Sequence, residues 1–169
     1  MKKNLLSNTL IAMAIVLLAS CTSNDPEKLI VGTWEGVSEV ELMDGSSFPK
    51  EIDYENQTIT YYETYYGFRH QTTKEFPCRS ILRLSEDGKL TNTTIDTKIG
   101  VVTEIIEGDY ELKDNGQELS FFYPTESVDY KVEIQNLTRH KLVLVTTEYM
   151  PVEYAGGYFV IYTTTTYKR

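Results

Sequence analysis

Residues 101–123 read VVTEIIEGDYELKDNGQELSFFY, and the alternation in this stretch decides the fold class. Val102, Ile106, Tyr110 and Leu112 fall on one face, with Glu107, Asp109 and Glu111 opposite. A period of two places successive side chains on opposite sides of an extended strand, whereas a helix repeats every 3.6 residues or so. Three like charges on one side read as a solvated outer surface. Asn115-Gly116 then reverses the chain, because both residues accept the positive φ angles of a tight hairpin, and Leu119–Tyr123 returns as the next strand.

The same rhythm extends in both directions. Toward the C terminus, a turn at Pro124–Glu126 precedes Val128, Tyr130, Val132 and Ile134, which alternate with polar residues. Leu137–His140 turns again, Lys141–Tyr149 is a further strand, and Ala155-Gly156-Gly157 leads into Tyr158–Tyr167. Toward the N terminus, Leu82 and Leu84 oppose Arg79 and Arg83, and Asp87-Gly88 is expected to form a type I′ turn. In Trp34–Leu42 the apolar residues Trp34, Val40 and Leu42 are expected on one face and Glu35, Glu39 and Glu41 on the other. Asp44–Pro77 and Met150–Gly157 are less regular and read as rim loops or strand extensions. No helix of any length is predicted after Ile30.

Some eight to ten strands joined by tight turns make an antiparallel meander, which must close on itself or stack as a sandwich to cover its edges. An up-and-down β-barrel is the simplest closure, with room inside for side chains or one small ligand. The expected fold class is therefore all-β, an antiparallel up-and-down barrel.

The first residues carry a different signal. Lys2 and Lys3 precede an apolar run from Leu10 to Ala19, too short to span a bilayer, which takes about 20 residues. The run closes on Leu18-Ala19-Ser20-Cys21, which reads as a lipobox: cleavage before Cys21 follows alkylation of its thiol by a diacylglyceryl group. The division expected is a signal peptide over 1–20, the lipidated Cys21 with a polar tether over 21–29, and a barrel domain over 30–169. The protein would then be membrane-attached through acyl chains in the cell envelope, as an outer-membrane lipoprotein facing the periplasm or the cell surface.

Charge narrows the partners. The 169 residues carry 16 basic and 25 acidic side chains, a net charge of −9 that becomes −11 without the two leader lysines. Such a surface repels phosphate backbones, so nucleic acid is not an expected partner. With Cys21 acylated, Cys78 has no disulfide partner.

Taken in order, several segments resemble the bacterial lipocalin-like domains of short lipoproteins. Leu29-Ile30-Val31-Gly32-Thr33-Trp34 is similar to the Gly-x-Trp opening of lipocalins. Leu82-Arg83-Leu84, Asp87-Gly88-Lys89-Leu90 and Gly108-Asp109-Tyr110-Glu111-Leu112 follow as the family's hairpins would. Tyr130–Ile134, Leu137-Thr138 and Lys141–Leu144 complete the set. The resemblance implies a calycin-type barrel and an apolar ligand. Lipocalins often pack an arginine from near the chain end against the opening tryptophan, and Arg169 is the terminal candidate here.

Trp34 is expected to plug one end of the barrel rather than line a pocket, since an aromatic of that size dominates core burial. Inward residues expected to touch a small apolar or amphipathic guest are Tyr110, Phe121, Tyr130 and Ile134. The alternative is a barrel with a filled core that meets a protein or glycan through its tyrosine-rich 44–77 region, where Tyr61, Tyr62, Tyr65 and Tyr66 are the candidate surface. Strands enrich tyrosine in any case, so those pairs also fit a strand buried on one side. Cys78 shares parity with Leu82 and Leu84 and reads as a core residue. Only His70 and His140 could serve as a base, and their separation does not match metal-ligand spacing. No nucleophile elbow, P-loop or dinucleotide turn is present in the sequence. Neither catalysis, nor a cofactor, nor a metal is expected.

Overall fold

The computed structural model describes residues 25–43, 49–66, 68–124, 128–152 and 157–169. The lipobox and Cys21 lie outside the described residues. A short helix, α1 (Pro26–Ile30), precedes eleven strands. These are β1 (Gly32–Met43), β2 (Lys50–Asp53), β3 (Thr58–Tyr65), β4 (Phe68–Glu75), β5 (Cys78–Leu84) and β6 (Lys89–Asp96). They continue with β7 (Val101–Lys113), β8 (Glu118–Tyr123), β9 (Val128–Leu137), β10 (Lys141–Val152) and β11 (Gly157–Lys168). Strands β5 to β11 pair consecutively, β1 pairs with β5, and β11 pairs back onto β1. The result is a closed, eight-stranded antiparallel barrel of the up-and-down type. Closure satisfies the edge groups that an open meander would expose.

The less regular 44–77 region supplies β2, β3 and β4, a three-stranded arm outside the closed ring. Its attachment explains the barrel's shape. Residues 32–35 of β1 pair with β5, but residues 38–41 pair with β2. Between them, at Gly36/Ser38, the register against β11 slips by one residue. This bulge is where β1 exchanges one neighbour for another: the Val37 carbonyl accepts a hydrogen bond from the Tyr54 N–H at 3.0 Å. Gly36 allows a close approach there: a Cβ would lie 3.0 Å from the Ser80 Cβ and 3.1 Å from the Tyr54 ring, so these neighbours would have to give way.

A bulge reverses side-chain parity along its strand. Trp34 faces in, but beyond the bulge Glu39, Glu41 and Met43 face in, opposite Thr165, Thr163 and Ile161 of β11. The single alternating face expected over Trp34–Leu42 is therefore corrected. Glu39 and Glu41 point into the barrel, while Leu42 is 50% exposed on the outside. The Asp87-Gly88 turn also differs from type I′: only Gly88 has positive φ, and its N–H donates to the Ser85 carbonyl at 3.1 Å. A three-residue reversal ending in one left-handed glycine fits this geometry. At the other hairpin the left-handed run is longer, covering Asp114, Asn115 and Gly116.

The core fills one end of the barrel. Trp34, Leu119, Val132 and Leu142 are wholly buried, with Leu82, Leu84, Leu90 and Ile30 close to it. Part of the expected tether joins this end. Pro26–Ile30 forms a helical turn because Asp25 caps it, accepting the Glu27 N–H at 3.2 Å, and Pro26 begins it with φ already suited. Ile30 then enters the core, and its carbonyl accepts the Trp34 Nε1–H at 2.8 Å. Arg169 makes the contact its position suggested, its guanidinium 4.0 Å from the Trp34 ring centroid. Its Nη2 also donates to the carbonyls of Val31 (2.6 Å) and Leu29 (3.1 Å). The last residue of the chain thus clasps the first turn of the domain over the barrel floor.

Candidate functional site

Above this floor the barrel is hollow. A cavity of about 600 Å³ occupies the other half, within the range of roughly 300–1,000 Å³ usual for small-molecule sites. Its apolar wall comes from Phe121 of β8, Val132 of β9, Leu144 of β10 and Ile161 of β11. These strands project alternate residues inward, so the cavity inherits the period-two pattern of the sequence. Tyr123 and Tyr130 stand beside them with ring centroids 5.5 Å apart, and Phe121 lies 6.3 Å from Tyr123. Met43 and Met150 line the cavity toward its mouth, where Met150 is 49% exposed.

The rest of the lining is polar. Glu39 and Glu41 enter from β1 and Glu148 from β10. Glu41 is ion-paired with Lys50 of β2 at 2.6 Å. Glu39 accepts a long hydrogen bond from the Tyr54 hydroxyl at 3.4 Å. Burial raises the Glu39 carboxyl above the ordinary range, a shift opposed by the charge of Lys50. The phenols of Tyr54 and Tyr167 are pushed far up by burial and by the Glu39 charge, so both stay protonated donors. Asn92 of β6 adds an acceptor: its Oδ1 is buried and has no hydrogen-bond partner.

Phe121 and Tyr130 are on the cavity wall as their parity suggested. Tyr110 and Ile134 are not on that wall. Both pack against the core cluster, and the Tyr110 hydroxyl donates to the Ser85 carbonyl at 2.8 Å. Ile134 instead borders a second depression, about 820 Å³, shared with polar residues such as Gln117, Glu118, Lys131 and Glu133. Among the lining residues that sequence reasoning missed are Glu39, Glu41 and Glu148. The first two carried the signal of an outer face, and only the bulge turned them inward.

The tyrosines of the arm do not form one face. Tyr61 and Tyr62 lie on opposite sides of β3, with Lys74 5.6 Å from one ring and Arg69 4.2 Å from the other. The Tyr62 hydroxyl also donates to Glu51 at 2.8 Å. Tyr66 is fully exposed at the turn before β4, and the Tyr65 side chain lies outside the described residues.

Cys78 is half-buried at the start of β5, and burial together with Asp96 raises its thiol. That shift works against a thiolate nucleophile. Among the described residues no group of three or more His, Cys, Asp or Glu side chains could hold a metal ion.

No family model matches this chain, and no curated protein matches it significantly. Among solved structures it is similar to a deswapped triple mutant of bovine odorant-binding protein, at 13% identity over 83% of this chain and 73% of that one, with a TM-score of 0.27. A likeness of that size carries no argument about this chain. The barrel stands on its own strand pairing.

Proposed function

We propose that this protein is a lipid-anchored carrier of the cell envelope whose barrel holds one small, apolar or amphipathic molecule. The observation that carries the reading is the cavity of about 600 Å³ above the Trp34 floor, bounded by apolar and aromatic side chains from four consecutive strands. A filled core would have suited a purely structural or interaction role. Anchorage rests on Lys2-Lys3, the apolar run and Leu18-Ala19-Ser20-Cys21. Among the described residues no helix is long and apolar enough to cross a membrane.

The two halves of the proposal fit together in space. Cys21 precedes Asp25 by four residues, at most about 14 Å of extended chain. Asp25 caps α1, and α1 sits at the closed end of the barrel. An acylated Cys21 would therefore hold the closed end toward the bilayer and leave the mouth beside Met150 facing the aqueous side. Guests would be exchanged with the aqueous phase or a partner, not drawn directly from the lipid.

A neutral polarity-sensitive dye tests carriage. It is expected to brighten on binding the purified protein with one-to-one stoichiometry and to be displaced by compounds recovered in an organic extract of freshly purified protein. Thr146→Trp, which places a large ring in the cavity, is expected to abolish the signal. Dye binding unchanged in that variant would refute carriage in the barrel. Labelling with radioactive palmitate, lost in Cys21→Ser, tests the anchor.

A further inference from the structure

We propose that the cavity selects molecules bearing a protonated amine on an apolar body, an inference that rests on the carriage reading above and names the class of guest. Three carboxylates line the cavity, from Glu39, Glu41 and Glu148, and no basic side chain does among the described lining residues. Lys50 forms an ion pair with Glu41 and its charge also reaches Glu39, so one lysine serves the three carboxylates. Glu39 and Glu148 are left without an ion pair among the described residues.

The hydrogen-bonding balance points the same way. Asn92 lines the cavity, but its unpartnered Oδ1 is buried away from water, so the acceptors open to a guest are the carboxylates. Glu39 has one long bond to Tyr54 and acceptor capacity to spare. A primary ammonium has three donors and no acceptor, which is the complement of this wall. A carboxylate head group could use the threonine and tyrosine hydroxyls of the lining, but it would bring a negative charge among three carboxylates served by one lysine. The apolar body would lie on Phe121, Val132, Leu144 and Ile161, with the flexible Met43 and Met150 adapting to its far end.

The experiment compares decylamine, decanol and decanoate, three ten-carbon probes that differ in head group, by isothermal titration of the purified protein near neutral pH. Thr146→Trp serves as the control for adsorption of amine to the acidic surface. Decylamine is expected to bind at least about tenfold more tightly than decanoate, with decanol between them. Glu39→Gln is expected to narrow that gap at least about threefold. Glu148→Gln, at an exposed position that does not endanger folding, is expected to narrow it in the same direction. Equal affinity for the three probes, or a gap that survives in both variants, overturns the amine selectivity and leaves carriage standing. Failure of all three probes to bind overturns carriage as well.

Discussion

Replacing Trp34 by phenylalanine is the most direct test of how the barrel floor is held. The substitution keeps an aromatic ring but removes the indole donor and part of its volume. Trp34 is 0% exposed, and Ile30, whose carbonyl accepts its Nε1–H at 2.8 Å, is 1% exposed. The stranded carbonyl costs about 1–3 kcal/mol, and the lost packing adds about 1–2 kcal/mol. The expected loss is therefore about 2–5 kcal/mol, a large part of the ~5–15 kcal/mol that stabilises a domain of this size. Arg169 stacks on the same ring from an exposed position, so its coupling to Trp34 should be modest, about 0.5–1 kcal/mol. Because Trp34 is the sole tryptophan, urea unfolding should be followed by far-UV circular dichroism. The cycle comprises wild type, Trp34→Phe, Arg169→Ala and the double variant, compared at unchanged m. A loss below about 1 kcal/mol for Trp34→Phe would refute this account of the floor, and an unchanged urea midpoint in Arg169→Ala would refute the clasp.

Other expectations follow from single positions. Gly116 has φ of +90°, and a Cβ there would lie 2.4 Å from the Pro26 Cβ, so Gly116→Ala should lower the urea midpoint by the equivalent of at least about 1 kcal/mol. The raised Glu39 carboxyl means the folded state holds its proton more tightly than the unfolded chain. That contribution is complete below the unfolded value and is lost as pH rises through the folded one. Wild type should therefore lose stability relative to Glu39→Gln as pH rises above the ordinary carboxylate range, read as a widening difference in urea midpoints. Asn92→Leu should raise the stability of the protein by about 1 kcal/mol, by removing the unpartnered buried oxygen, read as a higher urea midpoint. Finally, Cys78 should react with iodoacetamide more slowly than a free thiol at mildly alkaline pH, because burial and Asp96 disfavour its thiolate.

Much of this architecture was legible in the order of residues. Alternation in 105–123 and 128–134 is a local property, and strands β7 to β9 follow it from Ile106 onward; before that a second slip, against β6 at Thr94/Ile95, takes Val102 off the expected face and leaves it 45% exposed. Asn115-Gly116 and Asp87-Gly88 mark reversals because a left-handed backbone needs such residues wherever it occurs, even though the turn types depend on how the flanking strands pair. Gly32-Thr33-Trp34 signalled a buried aromatic, but the sequence offered Arg169 only as a terminal candidate for its partner and left the contact open. The candidate site was less legible. Phe121 and Tyr130 could be assigned to the interior by parity within their own strands, but Tyr110 and Ile134 share that parity and pack against the filled end. Parity says which side a residue faces and nothing of its height along the barrel axis.

By itself, the sequence determined a strand-rich chain with an antiparallel meander, a tryptophan floor and an acidic surface. These follow from composition, period and turn chemistry, which act over a few residues. Only the tertiary structure decided that β1 changes partners between β5 and β2, that the 50–75 segment becomes an arm, and that the slip at Gly36/Ser38 turns Glu39 and Glu41 into the barrel. A bulge costs one residue of register and is specified by the strands that meet there, not by the strand that carries it. The acidic wall of the cavity, on which its proposed choice of guest rests, is therefore a product of pairing at long range in the chain.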